Sequence, residues 1–139
     1  GNYFENSKPK PYNVYGWTKY CSETVVKMLE NYVVIRTRFI DKTKIRFNTA
    51  ATDIFTSMIE VKDLVKEIKN ISLADFIGII NVGERRKSDF VNYKKFKKNI
   101  IPCKRKDIVK NLGFKIAKDA SMNLNLLKRI KGKSWKKFL

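Results

Sequence analysis

A chain of 139 residues with 43% apolar and 12% aromatic content is large enough to fold as one domain without help from a disulfide or a metal. No apolar run approaches the roughly 20 residues that span a bilayer, and Gly1 to Lys10 carry neither an apolar signal core nor an Arg-rich amphipathic pattern. The expectation is a soluble, cytoplasmic protein with no membrane partner, whose first residues read like the interior of a longer chain. Histidine is absent, and Cys21 and Cys103 lie far apart; zinc and other metal sites and Cys/His nucleophile pairs are therefore not expected, and both cysteines read as free thiols in a reducing compartment. Without histidine, acid/base chemistry near neutral pH falls to a tuned Tyr, Lys, Asp or Glu. The formal charge of +18 attracts phosphate on nucleic acid, headgroups or a dinucleotide without choosing among them. A Lys-dominated chain rich in Asn, Ile, Phe and Tyr is also what an AT-rich coding sequence yields, and loss of an acidic N-terminal half would leave the same excess.

Residues Asn2 to Val14 hold two of the three prolines, Pro9 and Pro11, and read as an extended loop feeding a helix. From Val14 to Asn31, Trp17, Cys21, Val25, Met28 and Leu29 recur at three- and four-residue steps, the period of one buried helical face. Tyr32 to Phe39 is β-branched and starts as a continuous apolar run, which predicts a strand covered on both faces. Asp41 to Thr56 reads as a loop, and the carboxylates from Asp53 to Asp63 have no metal-loop spacing. Val61 to Ile71 returns to helical spacing through Leu64, Val65 and Ile68, with Glu60 and Asp63 suited to its N-terminal dipole. Phe76 to Val82 is the next strand, closed by Gly83, and Ser88 caps a helix running to Phe96. Pro102 breaks the following stretch into an extended piece and a turn near Asn111 to Gly113. A last helix at Leu124 to Ile130 ends at Gly132, before a basic tail with Trp135. Alternating helices and strands predict an α/β fold.

The segment PYNVYGWTKYCSE, Pro11 to Glu23, carries the chemical information. Tyr15 and Lys19 stand four apart at the start of a helix and so share a face. A free phenol is only about 0.1% ionised at pH 7, and a neighbouring ammonium favours phenolate. Tyr15 is thus suited to hand a proton to a carbonyl oxygen or to take one back. The spacing recurs at Tyr93 and Lys97, in a basic amphipathic stretch that reads as a solvated helix face with a packed ring. What distinguishes the first copy is its surroundings: Pro11 before, Gly16 directly after Tyr15, Thr18 before Lys19, Ser22 and Glu23 after, and Ile35-Arg36-Thr37 on the following strand.

These residues resemble the extended short-chain dehydrogenases/reductases, whose active-site helix carries Pro-x-x-x-Tyr-Gly-x-Ser/Thr-Lys and whose next strand ends near Arg-Thr. Asn81 to Phe90 and Lys118 to Gly132, closing on SWKKFL, look like the C-terminal region of dTDP-4-dehydrorhamnose reductases and of the epimerase/reductases that make UDP-rhamnose. The resemblance implies the C-terminal part of a Rossmann-type fold with its small substrate lobe and without the dinucleotide-binding half. In that division, residues 1–40 form the active-site loop, Tyr/Lys helix and strand of a single partial domain, and residues 41–139 form the substrate lobe and C-terminal elements. It also implies NADP or NAD as cofactor and a nucleotide-linked 4-keto-6-deoxy sugar as substrate. Tyr15 would be the acid/base, and Lys19 would bind the nicotinamide ribose. Arg36 and Thr37 would lie near the cofactor, and Arg38, Asp119, Ser121 and Asn123 near the substrate. Arg36 and Arg38 could equally pair with Asp41 or Glu30, and a loop with a helix cap explains Asp119, Ser121 and Asn123 as well.

The glycine-rich turn that takes a pyrophosphate has no counterpart, since no glycines stand as G-x-G-x-x-G. The isolated chain is accordingly expected to show little activity, with a homodimer or a separate N-terminal half as partner. An epimerase or dehydratase could use the same Tyr/Lys pair. A third reading is a small basic nucleic-acid-binding module acting through Lys94 to Lys98, Lys104 to Lys106 and Lys128 to Lys137, with Phe96, Trp135 or Phe138 for stacking. Charge supports that reading and motif does not.

Overall fold

The computed structural model of the protein describes residues 1–112 and 114–134. In chain order the elements are α1 (Val14–Val26), β1 (Val33–Thr37), β2 (Phe39–Ile40), β3 (Thr49–Ala51), β4 (Phe55–Thr56), β5 (Ile59–Glu60), α2 (Val61–Leu73), β6 (Gly78–Val82), β7 (Lys87–Ser88), α3 (Asp89–Lys94), β8 (Ile101–Cys103), α4 (Arg105–Leu112), β9 (Asp119–Ala120) and α5 (Asn125–Ser134). The α/β class holds, as a mixed fold built on small and mostly parallel sheets. β1 runs parallel to β6, from Val33 opposite Gly78 to Thr37 opposite Val82. β2 pairs with β5 and β3 with β8, both parallel, while β4 lies between antiparallel β7 and parallel β9. Parallel neighbours need long crossovers, and α2 lies within the one between β1 and β6.

The core forms where α2 and α5 meet β6. Ile59, Leu64, Ile71, Ile80, Val82 and Leu127 are buried together, with Ile35, Phe76, Leu126 and Ile130 packed around them. Lys131 Nζ reaches Glu67 Oε1 at 2.6 Å, tying α5 to α2 above this cluster. Of the apolar positions expected on α2, Leu64 is buried but Val65 and Ile68 stay exposed; its inner face runs instead from Leu64 to Ile71, two turns apart. Gly83 closes β6 as expected, and for a steric reason: a Cβ there would collide with the Ser57 carbonyl oxygen.

Several elements depart from the sequence reading. α1 stops at Val26 rather than Asn31, and Trp17, Cys21, Val25, Met28 and Leu29 face solvent instead of a core. Its fold-facing side carries Gly16, Tyr20, Glu23 and Val26, all partly buried. β1 is not covered on both faces, since Val33 is exposed and the rest only partly buried, with β6 as its one strand neighbour among the described residues. The expected loop at 41–56 contains a 3-10 turn (Lys42–Lys44), β3 and β4. These two- and three-residue strands arise from pairing with distant segments, not from local propensity. α4 was not anticipated; Asp107 Oδ2 accepts from Lys104 N at 3.0 Å at its start, and Asp53 Oδ1 accepts from Arg105 N at 2.7 Å. α3 ends at Lys94, short of Phe96, although Ser88 caps it as expected, its Oγ accepting from Val91 N. α5 runs through Gly132 to Ser134. Gly113 of the expected turn, and the tail from Trp135 to Leu139, lie outside the described residues.

The two glycines give opposite tests. Gly83→Ala is expected to lower unfolding stability in urea by about 2–3 kcal/mol, because backbone must move to admit the methyl group. Gly132 has nothing within 4 Å of its Cβ position, so Gly132→Ala is expected to be neutral or to stabilise by up to about 1 kcal/mol.

Candidate active site

The turn that presents Tyr15 is set by two local contacts. Asn13 caps α1, its Oδ1 accepting from Gly16 N at 2.7 Å. A Cβ on Gly16 would stand 3.2 Å from both Asn13 Oδ1 and Pro11 Cβ, so the glycine after Tyr15 lets Pro11 and the cap close against the first turn. Tyr15 is 71% exposed, and Lys19 Nζ lies 5.4 Å from the centroid of its ring. The structure thus brings the phenol and the ammonium together on one turn, both open to solvent. Trp17, between them in sequence, leans toward Tyr20 with ring centroids 6.1 Å apart.

Arg36, expected near a cofactor or paired with Asp41 or Glu30, is held elsewhere. Its Nη2 donates to Glu23 Oε1 at 2.6 Å and its Nε to Glu23 Oε2 at 3.0 Å, a two-point clasp from β1 onto α1 one turn past Lys19. Nη1 donates to the Glu5 carbonyl at 2.9 Å. The hydrogen bond from Arg36, against the opposing effect of burial, holds the Glu23 carboxyl below its ordinary range. Arg38 pairs with Asp89, not with Asp41 or Glu30, at 3.0 Å. Asp89 also accepts from Thr56 Oγ1, whose hydroxyl in turn accepts from Asn92 Nδ2. Burial pushes the Asp89 carboxyl up, against the pull of Arg38. Thr37, at the end of β1, has a buried Oγ1 with no hydrogen-bond partner among the described residues.

Asp119, Ser121 and Asn123 gather around the N-terminal segment. Ser121 is buried, and its Oγ accepts from Asn2 N at 3.0 Å while its carbonyl accepts from Tyr3 N at 3.0 Å. Asn123 N donates to the Tyr3 carbonyl at 2.8 Å, and its Oδ1 accepts from Asn125 N at the start of α5. Asp119 Oδ2 accepts from Arg86 Nε at 2.8 Å and its Oδ1 from Ser121 N at 2.9 Å. Burial works against its ionisation, but the Ser121 and Arg86 hydrogen bonds prevail and lower its pKa to about 2. Tyr12 Oη accepts from Ala117 N at 2.9 Å, so residues 2–12 are stitched to residues 117–123. An open groove of about 580 Å³ lies beside this seam, lined by Phe4, Glu5, Asn123, Asn125, Leu126, Lys128 and Arg129. Tyr15 and Lys19 are not among its walls.

Sequence reasoning missed Asn81, almost fully buried, whose Nδ2 donates to the carbonyls of Tyr3 and Asn123 and whose N donates to Glu5 Oε1. An Asn directly before the strand's last residue and its closing glycine was the one available signal. The second Tyr/Lys copy is structural: Tyr93 packs edge-on against Phe47 at 4.5 Å, and Lys97 Nζ donates to the Phe47 carbonyl and Asn48 Oδ1. Among the described residues no group of three His, Cys, Asp or Glu side chains could hold a metal, and no helix is long and apolar enough to cross a membrane.

No family model matches the sequence, and neither does any curated protein. Solved structures do. The chain is similar to the dTDP-4-dehydrorhamnose reductase of Bacillus anthracis str. Ames in complex with NADP, at 25% identity and a TM-score of 0.77, over 92% of this chain and 53% of that one. It is similar in fold to a hypothetical dTDP-4-dehydrorhamnose reductase from Sulfolobus tokodaii, at 24% identity and a TM-score of 0.78, over 94% of this chain and 52% of that one. The dTDP-4-dehydrorhamnose reductase of Yersinia enterocolitica gives 20% identity and a TM-score of 0.67, over 87% of this chain and 51% of that one. The structural neighbours are therefore reductases. In particular they are dTDP-4-dehydrorhamnose reductases, and the chain spans about half the length of each.

Arg36→Ala and Glu23→Gln are each expected to cost about 1–3 kcal/mol in urea unfolding, since each leaves a partly buried charged group without its partner. Asp119 is held below its ordinary 3.8. Its contribution to stability is then full above about pH 4 and lost as pH falls through about 2. Thermal melts across that window should fall more steeply for the wild type than for Asp119→Asn.

Proposed function

We propose that this chain is the active-site-helix and substrate-lobe half of an NAD(P)-dependent reductase acting on a nucleotide-linked 4-keto-6-deoxy sugar. The observation that carries this reading is the similarity over 92% of the chain to a reductase bound to NADP, together with the juxtaposition of Tyr15 and Lys19 at the exposed first turn of α1. In this reading residues 1–40 supply the active-site loop, helix and strand, and residues 41–139 the substrate lobe of a Rossmann-type fold. Two free thiols and a nucleotide-sugar substrate suit a reducing, cytoplasmic setting.

The residues present fit one end of a nicotinamide cofactor. Tyr15 and Lys19 offer a hydroxyl and an ammonium one turn apart in the open, whereas the Thr37 hydroxyl at the end of β1 is buried. They do not fit the pyrophosphate, for which the sequence has no glycine-rich turn. When bound, the cofactor supplies a hydride to the sugar's keto carbon. Tyr15 Oη delivers a proton to the oxygen left behind. Lys19 holds the ribose and stabilises the phenolate that Tyr15 becomes, because a cation beside a phenol favours its charged form. Arg36 keeps α1 seated on β1 through Glu23 and so fixes where Tyr15 points. Arg38, Asp119, Ser121 and Asn123 act behind the substrate, holding the lobe together.

Titration of the purified chain with NADPH, followed by Trp fluorescence, tests the half-site, because Trp17 lies between Tyr15 and Lys19. A saturable change is expected, weakened at least tenfold in Lys19→Ala. No saturable change in the wild type, or an unaltered one in Lys19→Ala, would remove the pair's claim to the cofactor.

A further inference from the structure

We infer that Arg86 is a diphosphate anchor, a guanidinium held flat on Phe55 and fixed by Asp119 so that its two terminal nitrogens meet a phosphate of the nucleotide-linked sugar. Strand register brings the three residues together. β4 lies between β7 and β9, with Phe55 opposite Ser88 on one side and opposite Asp119 on the other. Residues opposite one another share a sheet face, and Arg86, two positions before Ser88, returns to that same face. There its Cζ stands 3.7 Å from the centroid of the Phe55 ring, the spacing of a guanidinium stacked on an aromatic face. Asp119 Oδ2 accepts from Arg86 Nε at 2.8 Å, while Asp119 Oδ1 is held by Ser121 N at 2.9 Å. The plane of the guanidinium is thus set from below by a ring and from one edge by a carboxylate.

What Asp119 leaves is the useful part of the group. Nη1 and Nη2 of Arg86 make no hydrogen bond among the described residues, and the side chain is 49% exposed. Arg36 differs in kind: it engages Nε and Nη2 with Glu23 and Nη1 with the Glu5 carbonyl, entirely within the fold. A guanidinium held rigid with its terminal N–H groups unengaged matches the oxygens of a phosphate, and little side-chain freedom is lost when they meet. The surroundings favour an anion as well. Arg85 and Lys118, next in sequence to Arg86 and Asp119, are exposed and have no ion-pair partner among the described residues. Three cations against one carboxylate leave the patch positive. This fork stands on the β7-β4-β9 sheet, separate from the β1-β6 pair that α1 precedes. The phosphate it suits is accordingly that of the sugar nucleotide, not that of a cofactor at Tyr15 and Lys19.

The inference rests on the reductase reading for the identity of the ligand, and on the stacked geometry for the anchor itself. Calorimetric titration of the purified chain with dTDP and with UDP, in about 150 mM salt to screen long-range charge, is the test. Saturable binding of a nucleoside diphosphate is expected, weakened at least tenfold in Arg86→Lys, which keeps the charge and loses the planar fork. That variant should melt close to the wild type, because the side chain is half exposed. Lys62→Gln, which removes an exposed charge from α2, should bind like the wild type. Absence of saturable binding, unaltered binding in Arg86→Lys, or an equal loss in Lys62→Gln would each overturn the inference. So would an Arg86→Lys effect confined to NADPH, which would assign the fork to the cofactor. Nucleoside diphosphate binding that depends on Arg86, with no response to NADPH, would keep the anchor and remove the reductase reading. An NADPH response lost in Lys19→Ala, beside dTDP and UDP binding indifferent to Arg86, would do the reverse.

Discussion

The bidentate pair between Arg36 and Glu23 decides how the rest of the molecule is arranged. α1 has little apolar surface on its inner side to hold it against the sheet, and none of its residues is fully buried. What seats it is a guanidinium on β1 that takes both oxygens of one carboxylate on the helix, with a third hydrogen bond to the carbonyl of Glu5. One side chain thereby joins α1, β1 and the N-terminal segment. Side chains at 10% and 21% exposure keep this pair partly out of water, where its attraction is screened less than at the surface. The helix can then turn its apolar stripe outward and still stay in place.

A second seam closes the molecule behind the first. Residues 2–12 have no strand of their own beyond a single bridge from Tyr3 to Met122, so their backbone groups must be satisfied by other means. Ser121, Asn123 and Asn81 supply the partners, and Tyr12 adds a contact to Ala117. The extended segment leading to Tyr15 is consequently registered against the C-terminal residues rather than left to solvent. The residues that the sequence offers as substrate contacts thus have a positioning effect at a distance from the phenol, through the course of this segment.

Legibility in the sequence followed the range of the interactions. The Ser88 cap and α2 are set by residues a few positions apart, and the sequence showed them, while the equally local Asn13 cap went unread. The strands β3, β4 and β9 exist because distant segments pair with them, and no local propensity marks them. Periodicity told correctly which residues of α1 share a face. It could not tell whether anything lies against that face, so Trp17, Val25 and Met28 were expected in a core and are found in water. The Tyr15–Lys19 pair was visible as a spacing and a context. Arg36 was visible as a residue of interest, but with 31 basic and 13 acidic side chains, its choice of Glu23 over Asp41 or Glu30 is made by the packing of α1 on β1.

The same helix carries the exposed apolar stripe and, at its first turn but on a different side of its axis, Tyr15 and Lys19. In water the influence of an ammonium on a phenol is weak, because solvent screens it and competes for both groups. Tyr15 and Lys19 are both exposed, so the cation–ring contact between them sits in that solvent.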